Sequence, residues 1–155
     1  DEGNPASVSN ADLAQYRQRE EIHFHGYQEN VIPYLAKADV VVLPSYREGT
    51  PRVLLEGMSM AKPVIATNVP GCKDMVKNGM NGFLVKVKSG EELAHAILKM
   101  AALSIEERME MGITGRKNVV EHYSSEAIIR EYDFVLSDLM GSRRIIAKKK
   151  PQHGH

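Results

Sequence analysis

Cysteine is nearly absent: Cys72 stands alone in 155 residues. A single thiol excludes an internal disulfide and fits a reducing compartment. No stretch approaches the roughly 20 apolar residues of a membrane-spanning helix, and no secretory signal opens the chain. Net charge is also missing, with 20 Lys+Arg against 20 Asp+Glu. The balance is uneven along the chain. Every acid lies at or before Asp138, and Arg143, Arg144, Lys148, Lys149 and Lys150 follow without one. The body is therefore mildly acidic and the tail basic, so the body lacks the basic face that nucleic-acid binding requires. There is no Asp-x-Asp, and His23 and His25 share a strand face without a third ligand at a telling spacing. Metal ligands are accordingly short. Internal repeats are absent. These absences lead to the expectation of a cytoplasmic, metal-free protein.

What is present suits one ordinary domain, since 43% of the residues are hydrophobic. Short apolar runs at 22–25, 39–43, 63–67 and 82–85 alternate with helical segments at about 9–19, 30–37, 51–61 and 72–78. The runs Val40 to Leu43 and Val64 to Ala66 are continuous, as strands buried on both faces should be. Alternation of this kind predicts an α/β fold, a Rossmann-like parallel sheet with helices on both faces. Beyond it Leu93, Ile97, Met100 and Leu103 recur on one face of a helix that begins near Ser89. Helices at 105–121 and 125–139 complete a helical C-terminus, the last capped by Ser124 or Ser125. The expected division is 1–140 as an incomplete domain and 141–155 as a basic flexible tail.

The most informative segment runs from Leu43 through Glu48 to Glu56. A buried strand enters it, a turn at 45–49 follows, and a helix starts where Thr50 can cap and Pro51 suits the first helical position. The first N–H groups of a helix have no internal partner, so strand, turn and helix start make an anion site. Pro51 donates nothing, which leaves the donors around Arg52, Val53 and the Gly49/Thr50 turn. Glu48 stands at the mouth of the site, and Glu56 lies inside the helix. Carboxylates repel phosphate, so the two acids suit hydroxyls beside it. A nucleotide-sugar combines those features.

Glu48-x7-Glu56 after a Pro-Ser strand end resembles the motif of family 4 retaining glycosyltransferases, in the C-terminal half of the GT-B fold. Lys62 to Thr67, Val69-Pro70-Gly71-Cys72, Val76 and Asn81 to Val85 continue the similarity in order, and it covers roughly 20 to 136. The resemblance implies a donor-binding domain that lacks its first strands. It also implies a partner absent from this chain, an N-terminal acceptor-binding domain, and an absent Arg and Lys that grip the diphosphate. By resemblance Glu48 faces the transferred sugar and is the residue closest to catalysis, while Glu56 accepts both ribose hydroxyls. Gly26, with Tyr27 beside it, lies by the nucleotide base. The implied activity is transfer of a hexose or N-acetylhexosamine, with retention, from a UDP-linked donor to a lipid-linked or polysaccharide acceptor, as in capsule, O-antigen or lipid-linked glycan synthesis. No cofactor or metal is implied. The alternatives are a non-catalytic nucleotide-sugar-binding module, or another GT-B class of sucrose or phosphorylase type.

Several residues have plain structural readings as well. Thr50 can do no more than cap, and Arg52 can reach a phosphate or an acceptor carboxylate or else point to solvent. Gly26 can serve only a strand-to-helix turn. Cys72 lacks the His or Asp company of a nucleophile and reads as a small buried residue. The basic tail is either solvated or a weak hold on anionic lipid on the inner membrane face, about 1 kcal/mol per base.

Overall fold

The computed structural model describes residues 9–148. Its elements are α1 (Asn10–Arg17), α2 (Ile32–Lys37), β1 (Val41–Leu43), α3 (Arg52–Ser59), β2 (Val64–Thr67), α4 (Pro70–Met75), β3 (Gly82–Val85), α5 (Gly90–Ala102), α6 (Ile105–Tyr123) and α7 (Ser125–Lys148). By its contacts the chain divides into two units, Asp1–Val31 and Ile32–His155.

The first unit holds α1, capped by Ser9, whose hydroxyl accepts from the Asp12 N–H at 3.1 Å. The strand expected at 22–25 does not form there; the sheet among the described residues does not include these residues. The pattern was strand-like, but a strand persists only where a neighbour supplies its ladder.

In the second unit three parallel strands lie in the order β1-β2-β3, in register Val41↔Val64, Ile65↔Phe83 and Thr67↔Val85. β2 is central, and all four of its residues are buried. That explains the uninterrupted apolar run that marks it in sequence. Side chains alternate between faces, so Ile65, Phe83 and Val85 meet Ala96 and Met100 of α5 in one core cluster. Val41 and Val64 turn to the other face, where α3 sits with Gly57 against Val41. Leu54 and Met58 of α3 are completely buried. Each such side chain contributes about 1.5–3 kcal/mol relative to exposure. Helices thus cover both faces, as the α/β reading expected.

Several boundaries differ from expectation, and two of them are informative. α4 starts at Pro70 rather than 72, because Pro suits the first helical position and Val69 supplies the extended N-cap. α7 continues to Lys148, so 141–148 belong to a helix rather than to the tail; the remainder of that tail lies outside the described residues. The caps fall where the serines are. Ser89 starts α5, Ser104 and Glu107 form a reciprocal capping box on α6, and Ser124 accepts from the Ala127 N–H. Buried Asn81 holds the approach to β3, accepting from the Lys77 N–H at 2.8 Å and donating to the Met75 carbonyl at 3.0 Å.

α6 reaches the end of α3 through Gly112. A Cβ there would overlap the Ala61 carbonyl oxygen and lie 2.6 Å from its carbon. Ala61 itself is left-handed at φ 54, closing α3 with bonds from Lys62 N–H to Gly57 O and Ala61 N–H to Met58 O, both 2.9 Å. Backbone faces Gly112, so no rotamer change can make room. Gly112→Ala should therefore cost about 2 kcal/mol or more. Gly90→Ala, at the open start of α5, should be neutral or slightly stabilising. Urea denaturation of both variants tests this; an unchanged midpoint for Gly112→Ala would show that α6 does not pack as described.

Candidate functional site

The site grows from the C-terminal end of β1. Leu43 leads through Pro44 into an irregular turn that ends at Pro51, and α3 begins at Arg52. Pro51, at φ −71 and ψ 110, is the N-cap, and no side chain caps the helix. Thr50 therefore does not cap, contrary to expectation, and Pro51 stands one place earlier than its sequence preference suggested. Its carbonyl accepts from the N–H groups of Leu54 (3.1 Å) and Leu55 (3.2 Å), the first bonds of the helix. The N–H groups of Arg52 and Val53 precede this ladder, as the anion-site reading requires.

Two neighbours brace the turn. The Thr67 hydroxyl, at the end of β2, donates to the Ser45 carbonyl. Gly71 abuts the backbone of the turn itself: a Cβ at this position would overlap the Gly49 carbonyl oxygen and lie 3.0 Å from that of Glu48. Gly71 has φ +21, which interrupts α4 and favours glycine. In sequence Pro70-Gly71 stood out as part of the family resemblance; the three-dimensional reason for the glycine is the Glu48-Gly49 backbone. Thr67 was missed altogether, since a threonine ending a strand carries no distinctive signal.

Glu48 is half-buried, and its charge is felt by Cys72. Burial, then the Glu48 carboxylate, pushes the Cys72 thiol up to about 11. Cys72 stays protonated at neutral pH and is no nucleophile. Glu56 is partly exposed on the flank of α3 away from buried Leu54 and Met58. One turn earlier, about 6 Å along the axis, the exposed Arg52 donates from Nη2 to Glu56 Oε1 at 3.3 Å. Glu48, Gly49, Thr50, Arg52, Val53 and Glu56 thus follow one another around a single turn and helix start.

A cavity of about 450 Å³ opens at the same sheet edge, among Tyr46, Thr67, Val85, Lys86 and Lys88. Neither glutamate lines it. Lys86 is paired with Glu92 at 2.7 Å, and the Lys88 ammonium lies 5.7 Å from the Tyr46 ring centroid. In the first unit Gly26 has φ +64, the left-handed turn its sequence context suggested, and Tyr27 is 92% exposed. His23 and His25 have ring centroids 6.4 Å apart. Among the described residues no three His, Cys, Asp or Glu side chains gather as a metal site, and no helix is long and apolar enough to cross a membrane.

Known proteins are similar to this chain in sequence and in fold. The chain is 33% identical over 118 residues to an N-acetyl-alpha-D-glucosaminyl L-malate synthase of Bacillus anthracis, covering 76% of this chain and 30% of the relative. The capsular polysaccharide biosynthesis glycosyltransferase CapM of Staphylococcus aureus is 31% identical over 128 residues, 82% of this chain and 33% of the relative. The chain therefore spans about a third of the length of these relatives. Among solved structures, sucrose-phosphate synthase from Thermosynechococcus elongatus matches with TM-score 0.73 and 29% identity, over 84% of this chain and 33% of that one. Anabaena HepE in complex with UDP matches with TM-score 0.73 and 22% identity, over 83% and 35%, which speaks for the fold. The family model described as glycosyl transferases group 1 matches residues 3–102, and this chain belongs to that family.

Proposed function

We propose that this chain is the donor-binding part of a retaining glycosyltransferase that takes a hexose or N-acetylhexosamine from a UDP-linked donor. The observation that carries the reading is the braced turn at the end of β1, with Glu48 on it, the N–H groups of Arg52 and Val53 outside the helical ladder, and Glu56 one turn along. The diphosphate would sit on the free N–H groups at 49–53, where negative charge develops as it leaves. Donors held in place before reaction stabilise that charge without reorganising, and the helix start adds its dipole. Glu56 would take the ribose diol by charge-assisted hydrogen bonds, and Glu48 the hydroxyls of the transferred sugar. A lipid-linked or polysaccharide acceptor fits the CapM relationship. A small soluble acceptor is the second reading, favoured by the malate-glycosylating and sucrose-phosphate-forming relatives. A cytoplasmic protein with a peripheral hold on the inner membrane face belongs with the first.

Glu56→Ala should weaken UDP binding by about tenfold or more, because a hydrogen bond to a charged partner is worth about 1.5–3 kcal/mol. The melting temperature without ligand should stay unchanged, since Glu56 makes only an exposed pair. Calorimetry that finds equal UDP affinity in mutant and parent removes Glu56 from the site. A screen of nucleotide-sugars for melting-point shifts identifies the donor, because a ligand of the folded state alone must stabilise it.

Donor binding should survive chelation. The sequence offers no Asp-x-Asp to bridge a cation to the diphosphate, and the N–H groups of the turn supply the compensating positive potential. UDP-sugar binding that disappears with EDTA and returns with Mn or Mg ions would reverse this assignment.

Residues 1–155 by themselves should bind nucleotide weakly and transfer no sugar. Positioning donor against acceptor can account for roughly 7–11 kcal/mol of barrier, and this chain spans only a third of its relatives' length. Turnover by this chain in a radiolabelled transfer assay with lipid-diphosphate acceptors would show that it carries a complete active site.

A further inference from the structure

Arg52 occupies a distinctive place in α3. Its side chain is 88% exposed and its guanidinium is bonded to Glu56 through one nitrogen, Nη2. An exposed pair one turn apart adds little to helix stability, so the pair does not serve to hold the fold. Its position is more telling. Arg52 stands on the turn whose N–H groups lie outside the ladder, between two carboxylates, Glu48 behind it and Glu56 ahead. A diphosphate on that turn would face both negative charges. Of the other cations near this edge, Lys86 is paired with Glu92 and Lys88 lies over Tyr46, while Arg47 precedes Glu48 on the turn and lies outside the helix start.

A guanidinium carries five N–H donors in a rigid planar fork, and a carboxylate has about four acceptor positions. Arg52 can therefore stay on Glu56 Oε1 and donate to a phosphate oxygen with its remaining N–H groups. Glu56 keeps Oε2 and the rest of Oε1 for a vicinal diol. Binding one ligand group does not require releasing the other.

We propose that Arg52 is the specificity-determining residue by which this site prefers nucleoside diphosphates to nucleosides, bridging the Glu56 carboxylate and the diphosphate so that the acids on either side do not repel it. The assignment rests on the reading of Glu56 as the ribose ligand and adds to it a second, separable contact. Arg52 binds the phosphates directly; towards the ribose it contributes nothing beyond the company of Glu56. Lysine cannot replace it fully, because a point charge cannot span two acceptors in a fixed plane.

NMR titrations of the 155-residue chain with UDP and with uridine test it, using Arg52→Met, Arg52→Lys, Glu56→Gln and, as a control of equal charge, Arg47→Met. Arg52→Met should lower UDP affinity by about tenfold or more and leave uridine within about twofold, so the preference for the diphosphate collapses. The salt dependence of UDP binding should become shallower in the same variant, and Arg52→Lys should recover part of both losses. Arg47→Met should keep the preference. Equal losses for UDP and uridine in Arg52→Met would mean that Arg52 only orients Glu56, and unchanged affinities would make it a solvated helix pair; either overturns the proposal. Loss of the preference in Arg47→Met instead would assign the role to Arg47. The parent reading fails separately, if Glu56→Gln leaves both ligands unaffected or if the unmutated chain responds to neither.

Discussion

The close approach of Gly71 to the carbonyl of Gly49 is the constraint around which the site is arranged. The start of α4, just after β2, runs directly against the turn after β1, backbone on backbone, with room for a hydrogen and not for a methyl group. Thr67 adds a hydrogen bond to the Ser45 carbonyl from the end of β2. The turn is thereby held at both its start and its end, which keeps the N–H groups of Arg52 and Val53 pointing out of α3 at a defined place on the sheet edge. Glu48 is brought near Cys72 by the same contact, and the thiol registers that charge. Preorganisation of this kind is what an electrostatic site needs, because donors that must be reoriented during reaction lose most of their effect.

The turn in turn relies on the packing below it. β2 is buried along its full length, and α3 and α5 cover opposite faces of the sheet. Gly112 lets α6 press on the end of α3, where Ala61 accepts a left-handed conformation to close the helix. Strain of that sort is tolerated where surrounding contacts over-determine the backbone. The helix that carries Glu56 is therefore fixed at its first turn by the β1 and β2 loops and at its last by α6.

Most of this was legible in the residues because it is local. Continuous apolar runs marked β1 and β2, serines marked the starts of α5 and α7, and the Glu48-to-Glu56 spacing marked a strand, a turn and a helix start. Two of the failures depend on something distant in sequence. Residues 22–25 have a strand's composition, yet a ladder partner decides whether a strand exists. Thr50 has the chemistry of a cap, but Pro51 holds that place and no side chain caps the helix. Thr67 gave no signal, since its bond to Ser45 spans the gap between two strands.

The sequence by itself determined the family, the alternation of strands and helices, and the order in which Glu48, Gly49, Arg52 and Glu56 follow one another around the turn and helix start, because those depend on local pattern and spacing. Only the tertiary structure decided that Gly71 must be glycine, that Arg52 rests on Glu56, and that Cys72 feels Glu48. Those facts concern distances between backbones and charges, and such distances exist only once the sheet has brought the loops of β1 and β2 together.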